Sequence, residues 1–299
     1  MSLHLFSFSD PIRTNYRRAL PAYFHINATT SYDVLILRLL TSNLRIQNSK
    51  TASTINLQNN YTVFPFQVLT IKSGNPIRTL IGPNTLNDYV RFSTKFYTRN
   101  LGFYNNVLQE LTFYFSYTSD QQYVTAFVNL YRTLEYLSYS IPMMHASHFG
   151  NYLGSFSALR SYFVDAKTSE IAFFELFLNR LFNGTPYLGL TTSFDFSNPD
   201  ATIATNCYNS FRNLMPPAAW TVSNPATQYL EIENVNLLSL IKNTRNRYFH
   251  FAVGGQRNLH TTDLADPDFF FSRVNEQFLN WLSFIYSTVV KENLLNALV

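Results

Sequence analysis

Large apolar residues return in steps of three and four near the end of the chain: Phe271, Val274, Phe278, Trp281, Ile285 and Val289. At 3.6 residues per turn this spacing puts all six on one side of a helix, which must be buried against other helices or a second subunit. The start of that helix is marked as well, by Asp266 as a natural N-cap and Pro267 at the first helical position. A second stripe, Val124, Phe127, Leu130, Tyr131, Leu134, Leu137 and Ile141, predicts a buried helix over 124–141. Pro142, which has no N–H to donate, is expected to close it. Further helical patterning covers 155–182, stopping at Asn183-Gly184, and 232–251, broken by Gly254-Gly255.

The first hundred residues read differently. Strand-like runs at 62–66 and 68–71, a Ser73-Gly74-Asn75-Pro76 turn and a run at 77–81 ending at Gly82-Pro83 predict a β-hairpin. The apolar run at 33–40 fits a buried strand or a helix equally. Residues 185–230 hold Pro186, Pro199, Pro216, Pro217 and Pro225 among many Thr, Ser and Asn, the pattern of a long loop or insertion. The expected class is mainly α. Residues 1–100 would form an N-terminal α+β region with a hairpin, and 101–299 a helical domain carrying a loop-rich insertion at 185–230.

Composition narrows the surface chemistry. Charged residues are 13% of the 299, about half the usual share, while there are 28 Phe and 20 Tyr. Amides, hydroxyls and aromatics must therefore cover much of the surface, and some aromatics are expected to face a partner subunit or a nucleic acid. The net charge of +4 comes from 16 Arg against 6 Lys and is spread along the chain, which argues against non-specific coating of DNA. Arginine suits bidentate phosphate contacts and stacking on bases.

One cysteine, Cys207, excludes an internal disulfide, and the chain opens with no basic and apolar leader. With no apolar run of the roughly 18 residues a spanning helix needs, the expectation is a cytoplasmic protein without a membrane segment. Nine glycines and no Walker, dinucleotide or nucleophile-elbow motif leave no phosphate-cradling loop to propose. His145 and His148 have a spacing that could bind a metal on a helix, but no Cys pair or carboxylate completes the set, so neither a metal nor a cofactor is expected.

The strongest chemical signal is Arg245-Asn246-Arg247-Tyr248-Phe249-His250. On a helix Asn246 and His250 are i and i+4 and share a face, with Arg247 beside them. Arg245 stands five residues from His250, roughly 140° around, so its side chain must curl back or serve a neighbouring chain. An arginine and a histidine with four to six residues between them are expected about once by chance in such a chain, and Arg18 with His25 is a second instance, set aside because Pro21 interrupts it. Requiring asparagine directly after the arginine lowers the chance expectation to about 0.1. Metal-free RNA cleavage needs a proton-transferring group and a cation for the charge growing on the phosphate, roles open to His250 and Arg245. Asn246 could orient the imidazole or bond a phosphate oxygen.

These residues resemble the motif of the HEPN superfamily, whose ribonuclease members carry an arginine, a polar residue that is often asparagine, and a histidine after four to six intervening residues. Tyr131-Arg132-Thr133-Leu134-Glu135-Tyr136-Leu137 is similar to a tyrosine-and-leucine-glutamate helix of several HEPN families. The resemblance covers residues 100–299. It implies an all-α bundle, metal-independent endoribonuclease activity on an RNA substrate, and a homodimer whose two motifs meet in a composite site. A toxin or antiviral role would follow, with a protein inhibitor or sensor partner as a further expectation. Ala252 stands where the form modified by a nucleotidyltransferase has tyrosine. Glu135 is either the i+3 ion-pair partner of Arg132 or a carboxylate that positions Arg245 across helices. A non-catalytic helical module binding a nucleotide or nucleic acid, or a structural phage protein, is the alternative.

Overall fold

A computed structural model describes residues 5–82, 84–146, 170–249 and 258–297. The protein is mainly helical with small antiparallel sheets. In the N-terminal part, strands β1 (Phe6–Ser9), β2 (Arg45–Asn48) and β3 (Thr54–Asn56) form one antiparallel sheet in the order β1-β2-β3. Phe6 pairs with Asn48 and Ile46 with Ile55. The β2–β3 turn is held by Asn48 Oδ1, which accepts from the amides of Lys50 (2.9 Å) and Thr51 (3.3 Å).

The hairpin predicted over 62–81 is not there. Strands β4 (Asn59–Asn60) and β5 (Gln67–Val68) make a two-stranded ladder, while Asn75–Ile81 is a helix. The turn-like Gly74-Asn75-Pro76 is a helix start, since proline in the first turn forfeits no hydrogen bond. Gly82, at φ 71°, supplies the left-handed stop. Gly74 is required by packing, because a Cβ there would stand 2.6 Å from the Leu20 side chain. The ambiguous run at 33–40 is helical.

In chain order the helices are α1 (Thr14–Arg17), α2 (Tyr32–Leu40), α3 (Asn75–Ile81), α4 (Leu86–Phe96), α5 (Leu101–Ser119), α6 (Tyr123–Ala146), α7 (Glu170–Leu181), α8 (Ala201–Arg212), α9 (Leu237–Phe249), α10 (Thr261–Leu264) and α11 (Pro267–Ala297). Both sequence stripes are core. Phe127, Leu130, Leu134, Leu137 and Ile141 of α6 are buried, as are all six stripe residues of α11. Helix α11 packs along α6 and also meets α3, α4 and β6 (Thr191–Asp195), so its apolar side is used up inside the chain and is no subunit seam.

The polar residues of α11 hold backbone that would otherwise be buried unpaired. Asn280 Nδ2 donates to the carbonyls of Tyr61 (2.9 Å) and Val63 (2.7 Å), and Ser287 Oγ to that of Thr62 (3.3 Å). Asp268 Oδ1 accepts from the amide of Val124 (3.0 Å), one of the orphan donors at the start of α6. Asp266 Oδ1 accepts from the amide of Phe269 (2.9 Å), as its N-cap position predicts.

Pro142 does not close α6, which runs on to Ala146. Packing outweighs the lost backbone bond: Ile141 and Pro142 are buried, and His145 Nε2 lies 3.0 Å from Glu292 Oε2 of α11 with its ring edge-on to Phe177 of α7. Helix α7 ends near Gly184 (φ 77°), as expected, and the part of the predicted 155–182 helix before Glu170 lies outside the described residues.

The expected loop at 185–230 is folded. Strand β6 pairs with β8 (Tyr229–Glu233), which pairs with β7 (Trp220–Asn224), and α8 packs against them. The prolines fall at element starts and in turns, so they interrupt none of these ladders: Pro186 and Pro217 open 3-10 turns and Pro199 precedes the Asp200 N-cap of α8. Helix α9 begins at Leu237 rather than 232, because Ile232 belongs to β8. Among the described residues no helix is long and apolar enough to cross a membrane.

Candidate functional site

The body of α9 is anchored by Leu237, Leu238, Leu240, Ile241 and Thr244, all buried. Its last turn is different, carrying Arg245, Asn246 and Arg247 in succession. Two residues at about 100° each place the two arginines roughly 200° apart, on opposite sides of the helix.

Arg245 faces α6. Its guanidinium carbon lies 5.1 Å from the centroid of the Tyr131 ring, and its Nη1 donates to Asn246 Oδ1 at 3.1 Å. The planar cation is thus held against an aromatic face and tied to the neighbouring amide. It opens on a cavity of about 200 Å³ lined by Phe127, Val128, Tyr131, Arg132, Glu135, Arg245 and Phe249. Phe249, 37% exposed, stacks parallel on Phe127 with ring centroids 5.7 Å apart. Burial pushes the Tyr131 phenol above its usual range, with the Arg245 charge opposing.

Glu135 lines the same cavity as Arg245. The ion pair expected between Arg132 and Glu135 is absent, because Arg132 Nη2 reaches Glu110 Oε1 of α5 at 3.0 Å instead. Burial raises the Glu110 carboxyl, Arg132 works against that, and Glu135 adds to it. Among the described residues Glu135 therefore forms no ion pair and is the carboxylate beside Arg245.

Arg247 points the other way. Its Nη1 donates to the carbonyl of Asn213 at 2.8 Å, at the C-terminal end of α8 where a cation is favoured, and its own carbonyl accepts from Leu259 N at 2.8 Å. It lines a second cavity, of about 460 Å³, with Asn206, Asn209, Ser210, Asn213, Asn258 and Asp263.

Comparisons with protein-family models, curated proteins and solved structures find no match. The chemistry of the site rests on its own residues. His250 lies outside the described residues, as do Ala252, Gly254, Gly255 and His148. The rival pair is explained structurally: His25 Nε2 sits 3.1 Å from the carbonyls of Arg17 and Leu20, closing the turn after α1. Among the described residues no cluster of three metal-ligating side chains occurs. Buried Cys207 donates to the Leu264 carbonyl (3.3 Å), and burial, with Asp266 adding, pushes its thiol up to about 12.

Two features were not anticipated. The aromatic wall of the first cavity shows in the sequence as Phe127 and Tyr131 at i and i+4, a spacing that core periodicity alone also produces. The amides at Asn206, Asn209 and Asn213, also at helical spacing, fall in a Pro-, Thr- and Asn-rich segment whose composition predicts loop.

Proposed function

We propose that the protein is a metal-independent endoribonuclease of the HEPN type, with the helices around α6, α9 and α11 as its bundle and the N-terminal region sensing a trigger or a partner. The observation that carries this reading is Arg245: a guanidinium laid on Tyr131, tied to Asn246, at the mouth of an aromatic cavity and without an ion-pair partner among the described residues. A cation so held is available for phosphate, and the exposed Phe249 ring suits an unstacked base.

In this reading His250 moves the proton between the 2′-hydroxyl and the departing 5′-oxygen while Arg245 takes the charge growing on the phosphate oxygens. Asn246 fixes the guanidinium, Glu135 positions it across the cavity, and Arg247 braces the end of α9 against α8. A second copy of the chain would bring its own motif to the site. Toxicity or antiviral defence through RNA cleavage is the biological role this chemistry would serve.

The test is the product. Labelled RNA incubated with purified protein in excess chelator should yield fragments ending in 2′,3′-cyclic phosphate. Intact RNA bound without cleavage would favour a non-catalytic nucleic-acid-binding module, and cleavage abolished by the chelator would overturn the mechanism.

A further inference from the structure

The second cavity has its own chemistry. Asn206, Asn209 and Asn213 lie at i, i+3 and i+7, so α8 and its cap present three amides along one face, into a concave space of about 460 Å³. Among the described residues none of these three side-chain amides makes a hydrogen bond, although the chain uses amides elsewhere to hold backbone, as with Asn243 on the Leu214 carbonyl and Asn280 on the Tyr61 carbonyl. Ser210 and Thr262 add hydroxyls, and Leu214 and Leu259 form an apolar floor.

Charge decides what such a space can take. The C-terminal cap of α8, Asn213, and the carboxylate of Asp263 are both part of its lining, so a bare anion is disfavoured there. Arg247 is the one cation among its lining residues, and it already donates to the Asn213 carbonyl. A neutral, planar group with donors and acceptors on one edge fits better. Asparagine side chains, each offering a carbonyl and two N–H donors, can pair in two-point fashion with the edge of a nucleobase. The volume is within the range of small-molecule sites.

We infer that this cavity is a nucleobase pocket, reading one unstacked base of a single-stranded RNA through the amides of Asn206, Asn209 and Asn213. It rests on the RNA reading of the motif, since Arg247 belongs to both the motif and the pocket. One helix then serves two cavities: Arg245 faces the phosphate on one side, and Arg247 borders the base on the other. The pocket makes cleavage selective for the base that fills it.

Binding of four labelled 2′-O-methyl homo-oligomers (A, C, G and U), which lack the attacking hydroxyl, tests this by anisotropy. One oligomer should bind at least about tenfold more tightly than the weakest, the discrimination of a two-point base contact. Asn209→Leu, an exposed position, should flatten that preference to within twofold while circular dichroism and the affinity of the weakest oligomer stay unchanged. Four equal affinities in the unaltered protein would overturn the pocket and leave the RNA reading standing. If no oligomer binds, the RNA reading fails, and the four free nucleosides become the probe. Base-dependent binding lost in Asn209→Leu would then uphold the pocket alone, and no binding would overturn it.

Discussion

Glu135 and Arg245 face one cavity from two helices, and neither has an ion-pair partner among the described residues. The cavity is walled by Tyr131, Phe127 and Phe249, and in the proposed reading Glu135 acts across it on the direction of the guanidinium fork. Replacing Glu135 by Gln keeps the shape and removes the charge. Cleavage kcat should fall by about tenfold through misplacement of Arg245, while the affinity for uncleavable RNA is not weakened. Unchanged kcat would remove the positioning role. At this scale Asn246 was legible as the residue that lifts the motif above chance. Its bond to Arg245 was not, because a contact between adjacent residues depends on rotamers that sequence spacing leaves open.

Among the elements, α2 shows what ties the N-terminal region together. Arg38, fully buried, donates through Nε to the Asn43 carbonyl (2.7 Å), through Nη1 to the Phe24 carbonyl (2.7 Å), and through Nη2 to Asp10 Oδ1 (2.5 Å). Burial lowers its pKa and Asp10 opposes that. Arg38→Met would strand the nearly buried Asp10 carboxylate and should cost about 3–5 kcal/mol in urea unfolding. A change under about 1 kcal/mol would mean that Asp10 finds water instead. The long elements, α6 and α11, were legible because six or seven apolar residues repeat with one period. Short ones were not: Gly74-Asn75-Pro76 starts a helix as readily as it makes a turn, and the Pro- and Asn-rich run at 185–230 hid a sheet whose alternation, Thr192 and Phe194 inward, spans only five residues. Pro142 misled because the contacts beyond it, His145 with Glu292 and Phe177, are made to distant segments.

For the whole molecule, the core runs from Phe6 to Leu294 and absorbs the α11 stripe, so the second copy called for by the proposed composite site would dock on another face. Exposed Val128 and Phe249 beside the Arg245 cavity are the apolar groups a second copy would meet there. A composite site makes a specific demand: Arg245→Ala and His250→Ala chains, each inactive, should recover about a quarter of full activity when mixed and reassociated, because half the dimers are mixed and each carries one intact site. No recovery would mean that the site is complete in one chain. The most direct test is single-turnover RNA cleavage by His250→Ala beside the unaltered protein, with fold checked by circular dichroism. The rate should fall about a thousandfold, the scale of a lost acid–base group. Equal rates in a folded variant would contradict the assignment of the motif as the site of cleavage.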